Sequence, residues 1–232
     1  MSYGLIIKNS ENKAFISPNI TPMNFIKRVD VTIDGGSERT ARFNTGIPCN
    51  YVILPFIRVI NINSPVHNWA PIRMLELTSE NGMYVITLKK LYQYSISIVE
   101  VYIFSNFVPK LTKYGLEIYN EKQEMVYNNT CLPLELSFMK KPDLYLFGEE
   151  YGDKKRDSIM INLGFPVAAM STNYGLKSFH AGAQNGHITY YIYSIAIDTS
   201  VGLHLQIKDE GKYRGAYPNI GDIAYIDIRK YQ

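Results

Sequence analysis

Cysteine is scarce in this 232-residue chain: two residues, Cys49 and Cys131, separated by 82 positions. That pair cannot form a disulfide framework, and the spacing does not suit a two-cysteine metal clip. Tryptophan occurs once, as Trp69, and alanine only 10 times. Little charge of one sign is left over. The 24 basic and 21 acidic side chains leave a net +3, too little for an electrostatic commitment to nucleic acid or an anionic membrane. Long apolar runs are missing too. The longest, Tyr51–Ile57, falls far short of the ~20 residues that span a bilayer. Leu5-Ile6-Ile7 is followed at once by Lys8, Glu11 and Lys13, so no signal-peptide core is present. The expectation is a chain made and folded in a cytoplasm, with no membrane insertion.

What is abundant is branched and aromatic. Isoleucine occurs 28 times and tyrosine 19 times, and 46% of residues are hydrophobic against 19% charged. Such side chains suit pleated, half-buried surfaces, whereas helices are built mainly from Ala, Leu, Glu and Lys. The composition predicts an all-β protein with a packed core and no helix of consequence.

The chain also repeats itself. Tyr3-Gly-Leu-Ile-Ile-Lys-Asn9 returns as Tyr114-Gly-Leu-Glu-Ile-Tyr-Asn120, five identities in seven at a spacing of 111. At that spacing Ala14-Phe15-Ile16 meets Met125-Val126-Tyr127, Pro22 meets Pro133, and Met23 and Phe25 meet Leu134 and Leu136. Period-two alternation, a polar turn (Asn9–Lys13, Asn120–Glu124) and a return strand make each copy open on a β-hairpin. Asn81-Gly82 and Asn185-Gly186 tolerate the positive φ of tight hairpin turns and pair as a further match. Each copy closes on a strand, 99–104 and 224–229, with Val99 set against Ile226. Other strands are expected at 29–33, 52–62, 75–77, 83–88, 159–163, 188–197 and 203–207. Apolar parity flips at Ile98/Val99, which predicts a β-bulge there.

About seven short strands per copy, punctuated by Gly, Pro and Asn, describe two tandem related β-sandwich domains. The expected bounds are 1–108 for the first copy and 112–232 for the second, joined by a short linker stiffened by Pro109. The second copy is expected to carry an insertion near 200–222.

Chemical motifs are few. No Gly-x-Ser-x-Gly elbow, His-Glu-x-x-His pair or phosphate-binding glycine loop occurs. His180 and His187 flank a hairpin turn and could meet across it, but two ligands do not close a metal site. Glu149, Glu150 and Asp153 run into Lys154-Lys155-Arg156, which reads as a self-neutralising loop rather than a glycosidase carboxylate pair. Neither metal nor cofactor is expected, and the chain is not read as an enzyme.

Two loops carry recognition chemistry. His67 and Trp69 lie in a loop between Pro65 and Pro71, suited to stacking on a sugar ring or entering a neighbouring subunit. Tyr213, Arg214 and Tyr217 lie in a loop containing Gly211 and Gly215, a composition typical of interfaces. These five residues are the interface or ligand candidates.

The Tyr-Gly-Leu-x-Ile-x-Asn opening at 3–9 and 114–120, with Pro22 and Pro133 and the closing strand 99–104, resembles small β-rich proteins of tailed-bacteriophage tails. That resemblance implies a virion structural protein, assembled in the host cytoplasm, at the tail tip or a fibre attachment. It implies a homo-oligomer that also contacts other tail proteins, and it carries over no catalytic residue. The alternative reading is a carbohydrate- or receptor-binding module touching the host surface. A glycan hydrolase is a distant third.

Overall fold

The computed structural model describes residues 7–8, 14–16, 21–33, 40–62, 72–90, 97–110, 115–140, 158–171, 173–181, 186–207, 217–218 and 221–232. Over these residues the protein is all-β, and its helical structure is a single 3-10 turn, Ile228–Tyr231.

The first half contributes β1 (Ile7–Lys8), β2 (Ala14–Ile16), β3 (Asn24–Ile33), β4 (Thr40–Pro48), β5 (Ile53–Ile62), β6 (Ile72–Glu80), β7 (Met83–Lys90) and β8 (Ser97–Ser105). The second contributes β9 (Glu117–Tyr119), β10 (Met125–Asn128), β11 (Ser137–Met139), β12 (Ser158–Asn162), β13 (Val167–Met170) and β14 (Asn173–Ala181). It continues with β15 (Gly186–Ile197), β16 (Ser200–Ile207), β17 (Tyr217–Pro218) and β18 (Ile223–Asp227).

Both opening hairpins form, as the antiparallel pairs β1–β2 and β9–β10. The β9–β10 turn closes on Asn120, whose side-chain oxygen accepts the Lys122 and Glu124 N–H groups at 2.9 and 2.8 Å.

The main sheet has a palindromic order. Its central strands run β3–β8–β5–β13–β18–β11, all antiparallel, so each half supplies an edge, a middle and an inner strand. At the seam Phe56 pairs with Met170 and Ile57 with Ala169. Setting the start of β5 (Ile53) on the start of β13 (Val167) makes Phe56 and Met170 counterparts of each other, as a twofold relation between the halves requires.

Local detail follows the same correspondence. Ser105 pairs with Ile53 and Asp227 with Val167. Each then caps the turn after its strand: Ser105 Oγ accepts the Phe107 N–H at 3.0 Å and Asp227 Oδ1 the Arg229 N–H at 3.1 Å. Tyr51, two residues before Ile53, stacks edge-on to Phe107 at 5.1 Å. Phe165, two before Val167, carries the Arg229 guanidinium at 4.8 Å.

A second layer lies behind each half. β4–β7–β6 backs the first, β7 turning tightly from β6 through Asn81 (φ 49°) and Gly82 (φ 75°). Between the layers pack Val31, Ile57, Val99, Val101 and Ile103 against Ile47, Ile86 and Leu88. In the second half β12–β16–β15 stands in the same place, and Val167, Ala169 and Ile223 meet Val201, Leu203 and Ala196. By strand order, then, β16 takes the place of β7, and the turn at Asp198 (φ 48°) that of Asn81-Gly82.

Strand order and register revise several sequence expectations. Gly186 opens β15, whose ladder with β14 is an additional hairpin, so Gly186 is not the counterpart of Gly82. Among the described residues, the elements without a first-half counterpart are β14 and β17, of which only β17 falls in 200–222. Ile226 corresponds to Phe104 rather than Val99, because Leu54 faces Phe104 as Ala168 faces Ile226. The irregularity foreseen at Ile98/Val99 sits across the ladder: Val59 pairs with Val99 and Asn61 with Ile98, leaving Ile60 of β5 as the extra residue. Ile228 and Arg229, expected in the last strand, form the 3-10 turn instead.

The sheet does not stop at the boundary expected near 108–112, since β5 is hydrogen-bonded to β8 on one side and β13 on the other. Its opposite face carries an aromatic cluster drawn from both halves: Phe56, Tyr102 and Phe104 with Ala168, Ile226, Ile228 and Tyr231.

Candidate functional site

Beside that aromatic cluster lies a group of charges gathered around the buried Glu100 carboxylate. Period-two alternation sends Val99, Val101 and Ile103 inward and leaves Glu100 and Tyr102 on the opposite face of β8. Ladder register then sets Arg58 and Asp30 on either side of Glu100, and Arg28 beside Tyr102.

Glu100 is 6% exposed. Its Oε2 accepts from Arg58 Nη1 at 3.0 Å and from the Tyr102 hydroxyl at 2.9 Å, and its Oε1 lies 3.5 Å from Arg28 Nη1. Arg28 also binds Asp30 at 3.0 Å. Arg58 reaches further, donating to the Asp198 carbonyl at 3.3 Å and facing its carboxylate at 3.6 Å. Burial, and then the bond to Glu100, pushes the Tyr102 phenol well above its ordinary value. The Tyr102 hydroxyl raises the Arg28 value, against a smaller opposing effect of burial.

Oε2 of Glu100 accepts two hydrogen bonds while Oε1 faces Arg28, and through Arg58 the cluster ties the β15–β16 turn at Asp198 to β5.

At the corresponding positions of the second half the chemistry is different. Where Arg28, Glu100 and Tyr102 stand in the first half, the second has Phe138, Asp222 and Ala224. Phe138 pairs with Ala224 on the face of the aromatic cluster and is 63% exposed. Leu132 and Leu136 are exposed nearby in sequence. Strand β11 pairs with β18, and the residues leading into it join β3 on the other side, Pro133 bridging Asn24, the Phe25 N–H donating to the Leu132 carbonyl and the Leu134 N–H to the Met23 carbonyl, both at 2.7 Å. β3, the matching strand, carries Lys27, Arg28 and Asp30 along its length, charges of the kind that discourage edge-to-edge pairing. β11 carries Ser137, Phe138 and Met139.

Of the five residues singled out from the sequence, His67, Trp69, Tyr213 and Arg214 lie outside the described residues. Tyr217 is placed by its backbone in β17, the outermost strand of its sheet, opposite Leu176. His180 and His187 are register partners in the β14–β15 ladder, so the hairpin does bring those two positions opposite one another. Glu149, Glu150 and Asp153 lie outside the described residues. Both cysteines are free thiols; Cys131 is buried, which pushes its thiol up. Among the described residues no three His, Cys, Asp or Glu side chains gather as a metal site would require, and no helix is long and apolar enough to cross a membrane.

Neither the Glu100 cluster nor the exposed Phe138 of β11 was foreseen. Lone charges within apolar strands (Arg28, Arg58, Glu100) were the available signal for the first. The second gives none, because alternating Leu134, Leu136 and Phe138 reads as an ordinary core strand.

Compared with protein-family models, with curated proteins and with solved structures, the chain matches none of them.

Proposed function

We propose that the chain is a virion structural protein of a tailed bacteriophage, a tail-tip or fibre-attachment component that works as a homo-oligomer through protein–protein contacts. The phage assignment rests on the repeated Tyr-Gly-Leu-x-Ile-x-Asn hairpin at 3–9 and 114–120 and its resemblance to tail proteins. The observation that carries the contact role is the exposed Phe138 of β11, standing where the first half bears Arg28. Paired charges in one half and exposed apolar side chains at Leu132, Leu136 and Phe138 in the other support a scaffold whose second half is turned toward partners.

Mass spectrometry of purified particles of the encoding phage tests the reading. The chain should be present in several copies per particle, and its deletion should give particles with incomplete tails. Complete tails that fail to adsorb would favour the host-surface module, with the Trp69 and Tyr217 loops as its contact surface. A chain absent from particles and dispensable for infection would refute both.

A further inference from the structure

We infer that the main sheet is a closed six-stranded barrel with two unequal seams between the halves, built to open at the one where β3 meets the segment leading into β11.

β3, β8, β5, β13, β18 and β11 pair in that order, and the Asn24–Pro133 bridge joins the last to the first. The cluster of Phe56, Tyr102, Phe104, Ala168 and Ile226, with Phe25 and Leu134 packed against it, is then the filling of the barrel. Pro133 stands at a non-hydrogen-bonded position of this seam, where its missing N–H costs no bond. Both seams obey the twofold relation between the halves. Phe56 faces its counterpart Met170 in one, and in the other Met23 is bonded to Leu134, its counterpart at a spacing of 111.

The two seams are fastened differently. Across the β5–β13 seam lies the turn at Asp198, which holds both sides at once: its N–H donates to the Val59 carbonyl at 3.4 Å and its carbonyl accepts the Val167 N–H at 3.2 Å. At the β3 seam the corresponding fastener, the Tyr231 hydroxyl, bonds Pro133 and Glu135, both on the same side. Phe25 of β3 meets that residue by ring packing, at 5.4 Å. Asn24 adds a penalty. Its residue is 0% exposed and its Nδ2 donates to the Pro22 carbonyl at 3.1 Å, but its Oδ1 is buried without a hydrogen-bond partner among the described residues. An unpartnered buried acceptor destabilises the closed state and recovers its hydration when water reaches it. Parting this seam brings that relief, and parting the other does not. The start of β3, Met23–Phe25, is the side that moves, because Tyr231 keeps 133–135 in place. Opening bares Met23, Phe25 and Leu134 together with unpaired backbone groups, an apolar cleft on the filling of the barrel.

Residue-resolved amide exchange of the full chain by NMR tests this. The Phe25 and Leu134 amides should exchange about tenfold or more faster than those of Ile57 and Ala169, at rates nearly flat in low urea, as a local opening requires. The Glu135 amide, held by Tyr231, should stay slow. A disulfide formed by Asn24→Cys with Pro133→Cys, in a chain carrying Cys49→Ser and Cys131→Ser, should slow Phe25 and Leu134 to the level of Ile57 and Ala169, and reduction should restore the difference. The wild-type rates decide alone if that variant does not fold. Phe25 and Leu134 as slow as Ile57 and Ala169 in the wild type would overturn the opening seam, as would fast exchange that persists in the oxidised variant. Glu135 as fast as Leu134 would overturn the assignment of β3 as the side that moves.

Discussion

The Tyr231 hydroxyl accepts the Glu135 N–H at 2.8 Å and donates to the Pro133 carbonyl at 3.0 Å. One side chain at the end of the second half thus holds the segment that leads into β11. The same ring lies 5.4 Å from Phe25 and 4.9 Å from Phe104, inside the aromatic cluster of the main sheet. Tyr231→Phe keeps the packing and removes both hydrogen bonds, which should cost about 1–3 kcal/mol. Tyr231→Ala also leaves a cavity and should cost about 3–5 kcal/mol. Urea denaturation measures both, and a Tyr231→Phe variant as stable as the wild type would mean the hydroxyl does nothing.

Gly202 sits where β16 crosses closest to β12. A Cβ there would lie 1.9 Å from the Ile159 carbonyl oxygen, a backbone atom that cannot swing away. Gly202→Ala should therefore cost about 3 kcal/mol or more by forcing the two strands apart. Gly82→Ala meets nothing within 4 Å and pays only for its φ of 75°, about 1–2 kcal/mol. Their order in thermal denaturation checks the account; a Gly202→Ala variant more stable than Gly82→Ala contradicts it.

In the charged strut, Arg58→Met leaves the Glu100 carboxylate buried with less compensation and should lose about 3 kcal/mol. Arg58→Met combined with Glu100→Leu should recover part of that loss, since an apolar pair asks for no countercharge. Recovery stays incomplete because the buried Tyr102 hydroxyl then lacks its acceptor. A double variant less stable than the sum of the two singles would show that the cluster does not couple in this way.

Stability should fall at both ends of the pH scale for identifiable reasons. Above about pH 10 the Tyr102 phenol ionises in the unfolded chain first, because burial and then Glu100 hold it protonated in the folded one. The Tyr102 contribution is thus present below pH 10 and lost as pH rises further. At the acid end the Arg229 side chain holds the Asp227 carboxyl below its ordinary value. That contribution is present above the unfolded carboxylate value, about 4, and disappears as pH falls through the folded one. Denaturation midpoints against pH should lose alkaline slope in Tyr102→Phe and acid slope in Asp227→Asn. Unchanged slopes would remove these groups from the explanation.

Much of this architecture was legible in the sequence. The matched hairpins at Tyr3 and Tyr114, the alternation through β5, β8 and β15, and the Asn81-Gly82 turn all speak through local patterns. β13 was missed because Val167-Ala-Ala-Met170 is too short and too low in branched residues to read as a strand. β4 was missed although Ala41, Phe43, Thr45 and Ile47 alternate strictly with Arg42, Asn44 and Gly46, because only Phe43 and Ile47 of the inward set are strongly apolar. Which Asn-Gly turn corresponds to which depends on strand order, a non-local property no single window contains. The Glu100 strut is non-local in the same sense, drawing β3, β5, β8 and the turn at Asp198 together. Nor does sequence say which apolar side chain is left exposed; at Phe138 that decision belongs to topology.

Differential scanning calorimetry of the intact chain tests most directly the claim that the β5–β13 seam makes one body of the two halves. The account predicts a single transition whose calorimetric and van't Hoff enthalpies agree, with the Ile57 and Ala169 amides among the slowest to exchange. Two separate transitions, one belonging to residues 1–108 and the other to 112–232, would contradict it.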